Sequence, residues 1–366
     1  MSIVAGIALL VLLYRLGRAL QRRRKAIGVL VGTPRGREKA ATAVVALGYV
    51  PREALDTGER APVPAEVTAV LDAVRSGDWE TGAAWIEAAG TDWDERRRRI
   101  GRVGRMAVDD DGWLVAWRTA RPEDPTGAAV DADAAVMLAW EVRGSKSARD
   151  TTREQFQVFV ELLRKAQELV HEAQRVADPA DPVPYVLEQP VAMALAYSHR
   201  RYEALWAEIV GRAPKLLAAH TGALQYWCAK WCGSHELAES FARRSAAAGA
   251  PGDLLSLLPL QAFFEHEISD GGLDRNEYYK RPEVVEAADA ALTDAGAADP
   301  DDPRTVLLRH MLAWVLYWQD RYPAAVEQFR AVDGYIGAAP WTYTTEPKRQ
   351  YQELRDYSVR RAAPGP

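Results

Sequence analysis

The chain has 366 residues, of which 48% are hydrophobic and 27% charged, a balance that excludes an intrinsically disordered protein. Its net charge of −5 is unevenly spread, because residues 1–39 carry nine basic side chains and one acid, which leaves the rest of the chain at −13. An acidic body disfavours sequence-independent binding of nucleic acid, and no disulfide framework can be read from the two cysteines, Cys228 and Cys232.

The N-terminus begins with an apolar segment that is followed by a basic cluster. Residues 3–13 are all apolar or Gly, and the basic residues come after them. A secretory signal peptide carries its positive charge before the apolar stretch, so this order does not fit one. With its flanks the segment reaches the ~20 residues that a spanning helix needs. We therefore predict a membrane-anchor helix with a basic flank over residues 1–25, whose membrane contacts are Leu9, Leu10, Leu12, Leu13, Arg15, Arg18, Arg22, Arg23 and Arg24.

The basic flank also predicts the orientation of this anchor. The positive-inside rule places the flank, and everything after it, in the cytoplasm, so we expect a single-pass protein of the cell membrane with a cytoplasmic C-terminal domain. Two other placements stay open: a helix lying in the interface with its arginines on anionic lipid, and a terminal helix docked on the protein's own body. The spanning helix is favoured, because a docked helix rarely needs so long a stretch that is apolar on every side.

Gly and Pro punctuate the next segment, residues 26–63, which we predict to be a connector with one helix from Glu38 to Leu47. From residue 64 to residue 337, helix signals recur and strand-like alternation is nearly absent. The sequence therefore predicts an all-α domain over 64–337. Residues 338–366 are predicted to form a C-terminal tail with one short helix at 347–360.

Apolar periodicity and capping residues predict paired helices along this domain. The two helices of the first pair are joined by a turn at residues 76–79. The next helix begins after Asp92, with acidic residues at its start and basic residues toward its end. Its arginines, Arg96 to Arg99, are predicted to be a solvated helix end, because that charge order complements the helix dipole. Further helices are predicted over 113–117, 131–143, 152–177, 191–199, 202–212, 216–232, 235–248, 254–268, 282–295, 304–318 and 323–332.

The last predicted pair carries the strongest repeat motif. A small residue lies where two helices can cross closely, an apolar residue follows three positions later, and an aromatic residue follows the turn. The residues that carry the motif are Ala313, Leu316, Tyr322, Ala325 and Phe329. This spacing resembles the tetratricopeptide repeat, and weaker copies occur at residues 70–89 and 199–210. Because the intervals between copies are irregular, the resemblance implies an irregular tetratricopeptide-like α–α solenoid.

A second resemblance covers more of the chain. Its motifs are AWEVRGS at 139–145, followed by Ala148 and a long helix that ends in DPADP at 178–182, then ALQYWC at 223–228, KW at 230–231 and GSHE at 233–236. Over residues 110–270 the chain resembles uncharacterised actinobacterial helical-repeat proteins, related to a bacterial domain family of unknown function. The resemblance implies a helical-repeat fold, and it brings no reaction, cofactor or catalytic residue with it.

Polar and aromatic residues are densest in two of these motifs. The candidate binding residues are Trp140, Glu141, Arg143, Trp227, Trp231 and His235. Glu141 and Arg143 either form an ion pair that fixes the helix end or line a groove. On one helix, Cys228 and Cys232 share a face that His235 could join, but no fourth ligand is local, and indoles beside thiols are typical of packing. We therefore predict no metal and no cofactor.

These observations favour a scaffold over an enzyme. We expect a membrane-attached helical-repeat protein that binds an unknown protein or peptide in a groove, and that binds no nucleic acid. The alternative is an enzyme whose unrecognised site combines Glu141 and Arg143 with His220 and His235 from the segment 220–236. Neither the partner nor the oligomeric state can be predicted.

Overall fold

A computed structural model describes residues 41–144 and 153–363. Every secondary-structure element within these ranges is a helix, and the one β-type pairing there is an isolated bridge between Asp56 and Tyr335. The prediction of an all-α chain is confirmed for these ranges. The predicted anchor over 1–25, with its membrane contacts from Leu9 to Arg24, lies outside the described residues. Inside them, no helix has both the length and the apolar character that crossing a bilayer demands.

The described ranges contain sixteen α-helices and two short 3₁₀ helices, the latter at Arg52–Ala54 and Trp341–Tyr343. Residues 41–45, where the description starts, are also helical. The α-helices are α1 (Ala65–Arg75), α2 (Trp79–Glu87), α3 (Trp93–Ala107), α4 (Gly112–Ala120), α5 (Pro125–Arg143), α6 (Arg153–Val176), α7 (Val183–Ala194), α8 (His199–Arg212), α9 (Leu217–Trp227), α10 (His235–Ala248), α11 (Leu257–Ser269), α12 (Arg275–Tyr278), α13 (Pro282–Ala297), α14 (Thr305–Trp318), α15 (Tyr322–Ala331) and α16 (Pro347–Ala362).

The described chain divides into two compact units. The central unit is Val63–Glu265, and the terminal unit joins residues 41–62 to residues 266–363. The first boundary lies between Pro62 and Val63. The second boundary, between Glu265 and His266, lies inside the predicted domain 64–337.

The core of the central unit is centred on α5 and α6, which make its most extensive helix–helix contact. The predicted apolar stripe of α6 is buried from Phe159 onward, at Leu163, Ala166, Val170 and Ala173. Burial of such a stripe is the main force that holds a helix of this kind in place, at about 25 cal/mol for each Å² removed from water.

Two helix boundaries differ from their predictions for local reasons. Helix α5 begins at Pro125, six residues before the predicted start, because the Asp124 carboxylate accepts from the N–H groups of Thr126 (2.9 Å) and Gly127 (3.4 Å) and caps it. Helix α9 ends at Trp227 and not at residue 232, and the chain then turns back so closely that a Cβ at Gly233 would lie 1.9 Å from the Trp227 carbonyl oxygen. Only Gly fits that approach.

The arginine run of α3 is not the solvated helix end that its sequence predicts. Arg96 is buried, and its Nε donates to Asp181 Oδ2 at 3.0 Å. Arg97 pairs with the buried Asp133 at 2.9 Å. Acids on α5 and after α6 thus bring this face of α3 into the core, because long-range partners override the local charge pattern.

The terminal unit is closed by a pairing between segments far apart in the sequence. The Asp56 N–H donates to the Gly334 carbonyl (2.7 Å), and the Ile336 N–H donates to the Asp56 carbonyl (2.7 Å). The Gly337 N–H then donates to the Glu59 carbonyl at 2.8 Å, and a Cβ at Gly337 would lie 2.8 Å from that oxygen. Part of the predicted connector and the end of the predicted domain 64–337 are therefore packed elements of one unit.

A buried imidazole joins the same segments. Trp341 Nε1 donates to His310 Nδ1 at 3.0 Å, and His310 Nε2 lies 3.2 Å from the Arg60 carbonyl. This pair of partners selects the neutral tautomer that carries its proton on Nε2. Burial lowers the pKa of His310 to about 4.

We expect His310 to make the terminal unit less stable in acid. The unfolded imidazole takes up its proton near pH 6.5 and the folded one only near 4, so its contribution is present above pH 6.5 and is lost as pH falls toward 4. The loss should approach roughly 3 kcal/mol, at 1.36 kcal/mol per pKa unit. The free energy of unfolding, measured with urea across this pH range, should change less with pH for His310→Phe than for the wild type. A His235→Gln control should keep the pH dependence of the wild type, and a wild-type pH dependence in His310→Phe would contradict the assignment.

Candidate functional site

Three of the six candidate binding residues meet at one place on the central unit. The rings of Trp140 and Trp231 are in edge-to-face contact, with centroids 5.4 Å apart and planes at 81°. The Arg143 guanidinium carbon lies 5.4 Å from the centre of Trp140 and 5.2 Å from that of Trp231. One cation thus faces two indoles, a contact worth about 0.5–2 kcal/mol per ring.

Local structure explains how these side chains meet. Trp140 and Arg143 are three residues apart in the last turn of α5, which places them on one helix face. Trp231 lies in the turn after α9, where its N–H donates to the Cys228 carbonyl at 3.0 Å. The close approach at Gly233 shapes this turn, and Ser234 then caps α10.

Two phenylalanines continue the ring contacts along α6. Phe159 is buried and lies edge-on to Trp140, with centroids 5.4 Å apart. Phe156 lies 6.4 Å from Phe159, and its side chain is 54% exposed. The predicted apolar stripe included Phe156 with the buried residues, but it precedes the first buried position of α6. We define the aromatic–arginine surface as Trp140, Arg143, Phe156 and Trp231.

The predicted alternative of an ion pair between Glu141 and Arg143 is wrong. Glu141 instead binds Arg105 of α3 at 2.9 Å, with both side chains about half exposed. Residues two apart on a helix point to different faces, which accounts for the separation. Among the described residues Arg143 meets no carboxylate, and its Nη1 donates to the neighbouring Gly144 carbonyl at 3.3 Å.

The indole nitrogen of Trp140 has an unusual environment. Trp140 Nε1 is buried and finds no hydrogen-bond acceptor in the described part of the chain. A buried N–H without an acceptor costs about 1–3 kcal/mol. The ring is nevertheless held in place by Phe159 on one side and Trp231 on the other.

The remaining candidates lie in other surroundings. Trp227 packs in a separate ring cluster, 4.9 Å from His199 and 5.9 Å from Tyr202 between centroids. His235 is the first residue of α10 and is half-buried, directly after the capping Ser234. Trp227 therefore serves packing of α8 against α9, as an interior aromatic does.

The two thiols follow the same packing logic. Burial raises the pKa of Cys228 to about 12, which keeps it protonated. The Cys232 thiol donates to the Met193 carbonyl at 3.7 Å, and the Cys232 carbonyl lies 2.7 Å from His199 Nε2. Because α9 ends at Trp227, these cysteines do not share the helix face that the sequence predicts. Within residues 41–144 and 153–363, no three His, Cys, Asp or Glu side chains form a group suited to a metal ion.

His220, the first histidine of the alternative catalytic set, has partners of its own. His220 is buried, with Nδ1 3.0 Å from Ser245 Oγ and Nε2 2.9 Å from the Pro214 carbonyl. The ring of Trp206 lies edge-on to it at 5.0 Å. Burial lowers the pKa of His220. Its partners are on α8 and α10, whereas those of Glu141 and Arg143 are on α3 and after α9.

The sequence analysis missed a second polar cluster, which is centred on the buried Glu188 of α7. Its carboxylate accepts from Tyr197 Oη (2.8 Å) and Gln174 Nε2 (2.8 Å), and it lies 3.3 Å from His171 Nε2. The Arg201 guanidinium is 3.9 Å away. The signal in the sequence was the polar residues at 167, 171 and 174, which share one face of helix α6. Because hydrogen-bond donors surround the carboxylate, we interpret this cluster as one that stabilises the fold.

Comparison of the chain with protein-family models, with curated proteins and with solved structures gave no match in any of the three. No relative thus assigns a reaction, a ligand or a partner to the residues described above. The two resemblances seen in the sequence stay predictions.

Proposed function

We propose that this protein is a helical-repeat scaffold that binds a segment of another protein at the aromatic–arginine surface. The observation that carries the proposal is the Arg143 guanidinium over the rings of both Trp140 and Trp231, and the exposed Phe156 continues the same series of ring contacts through Phe159. Trp, Tyr and Arg dominate the binding energy of protein interfaces, because they bury large rigid surfaces at little entropic cost. The surface offers rings and a guanidinium, not a nucleophile or a base, so we assign it binding and not catalysis.

The tetratricopeptide-like character is part of this proposal. It is supported by the pair α14 and α15, where all four apolar or small motif positions are fully buried, namely Ala313, Leu316, Ala325 and Phe329. A small residue where helices cross and an aromatic residue under the turn are what such a pair requires. The aromatic–arginine surface belongs to the other unit, so the two features are independent.

Membrane attachment through residues 1–25 is also proposed, with the helical units in the cytoplasm. Its support is the order of apolar segment and basic cluster in the sequence. Full-length protein should sediment with membranes, and a chain that starts at Ala26 should stay in the supernatant. Equal distribution of the two proteins would contradict the attachment.

The binding proposal predicts that Trp231→Ala removes partner recovery. Truncating a central interface Trp costs about 2 kcal/mol or more, which is roughly thirtyfold in affinity. Co-purification from native membranes, followed by mass spectrometry, should recover a defined protein with the wild type and lose it with Trp231→Ala. Helical circular dichroism should be the same for both.

The matched control is Trp85→Ala, which removes an indole of the same unit that also faces an arginine, with the Arg99 guanidinium carbon 5.0 Å from its ring centre. This variant should recover the same protein as the wild type. Recovery that survives Trp231→Ala, or that is lost equally with Trp85→Ala, would overturn the proposal.

A further inference from the structure

We infer that the aromatic–arginine surface recognises a carboxylate side chain, so that the bound segment carries an acidic residue next to apolar ones. This inference rests on the proposed function and names the class of partner for the same surface. It adds one element, the chemistry of the group that Arg143 meets.

The first support is the state of the Arg143 guanidinium. The Arg143 guanidinium carbon lies over both indole rings, and the planar guanidinium carries five N–H donors. Its hydrogen bond to the adjacent Gly144 carbonyl, at 3.3 Å, is at the long end of the range. In the described chain no carboxylate neutralises it, whereas Arg105 is paired with Glu141. A guanidinium without such a partner is suited to a carboxylate, which it can bind through two parallel bonds.

The second support is the set of groups around this cation. Phe156, which is 54% exposed, adds an apolar ring that is linked to Trp140 through Phe159. A segment with an acidic residue flanked by apolar ones matches both the charge and the rings.

The charge of the whole chain does not oppose this match. The body is acidic, but charges farther away than the ~8 Å Debye length at physiological salt are largely screened. A cationic segment is disfavoured, because Arg143 already occupies the face of both indoles and would repel it.

The test uses two pools of short fluorescent peptides. Each peptide of one pool has a single central Glu among Leu, Phe, Val and Ala, and the matched pool has Gln in its place. Fluorescence anisotropy with the full-length protein in detergent should show about tenfold tighter binding of the Glu pool, the difference expected for a charge-assisted hydrogen bond. Arg143→Gln should bind both pools alike. Arg143→Lys, which keeps the charge but not the planar fork, should retain only part of the preference.

The control is Arg200→Gln, which removes the same charge from an exposed position on α8 and should keep the full preference for Glu. Equal binding of both pools by the wild type, with a loss on Trp231→Ala, would overturn the carboxylate inference and leave the proposed function standing. Binding of neither pool would overturn the inference, and the proposed function would still be judged by partner recovery. A preference for Glu that persists in Arg143→Gln would also overturn it.

Discussion

Replacing Arg355 by Met should destabilise the terminal unit by about 3–5 kcal/mol, the cost of breaking a buried ion pair by removing one partner. The Arg355 side chain is fully buried. Its Nη1 donates to the Val50 carbonyl (2.7 Å) and to Asp333 Oδ1 (2.8 Å), and its Nε donates to Asp356 Oδ1 (3.0 Å). Met fills a similar volume, so the loss comes from two carboxylates left without their cation.

The same substitution should release the segment that Arg355 holds. Val50 is held at both backbone groups, because its N–H donates to Asp333 Oδ2 at 2.6 Å. Amide hydrogen exchange of residues 49–62 should therefore become faster in Arg355→Met. The control on the same helix is Arg349→Met, whose side chain is 43% exposed and pairs with Glu346. It should cost no more than about 1 kcal/mol, and an equal effect of the two variants would contradict the assigned role.

Replacing Glu188 by Ala should destabilise the central unit by about 3 kcal/mol or more, because it leaves several buried donors without an acceptor. Tyr197 and Gln174 lose their bonds to the carboxylate, and so does His171. Burial, with the nearby carboxylate next, raises the pKa of Tyr197, so this phenol stays a donor that needs an acceptor. Urea unfolding followed by circular dichroism measures the loss.

Two variants sharpen this result. Glu188→Gln keeps the shape and one acceptor oxygen, so it should lose less than Glu188→Ala. Glu208→Ala removes an acid that is 55% exposed and pairs with Arg212 on the surface of α8, and it should change stability by no more than about 1 kcal/mol. A Glu188→Ala protein as stable as Glu208→Ala would show that the cluster does not support the unit.

The parts of the fold that the sequence predicted well have local causes. Asp92 caps α3 by accepting from the Glu95 N–H at 3.0 Å, and Ser234 caps α10 by accepting from the Leu237 N–H at 3.2 Å. Both residues occupy the position that their side chains favour at a helix start. The Pro residues around 179–182 likewise end α6 where the sequence predicts.

The parts that the sequence did not predict depend on long-range contacts. Pairing of Asp56 with residues 334–336 has no local signature, and neither has the burial of Arg96 against Asp181. Helix α7 begins at Val183, eight residues before the predicted helix 191–199, and contains Pro190, a residue that removes one hydrogen bond from a helix interior.

The candidate site was predicted in part for the same reason. Trp140 and Arg143 were identifiable together because they are three residues apart on one helix. That Trp231, and not Trp227, would meet them was not predictable, since it depends on where α9 ends. Phe156 was missed because periodicity alone assigns it to the buried stripe, although it lies before the first buried position of α6.

The most direct test of the binding surface is site-specific photo-crosslinking in the native cell. A photoreactive phenylalanine at position 156, where the native side chain is 54% exposed, should crosslink to one defined protein. The same group at Val115, which is 57% exposed and lies in the same unit, should not. Adding Trp231→Ala should abolish the crosslink from position 156. Equal crosslinking from both positions, or a crosslink from position 156 that Trp231→Ala leaves unchanged, would contradict the assignment of this surface.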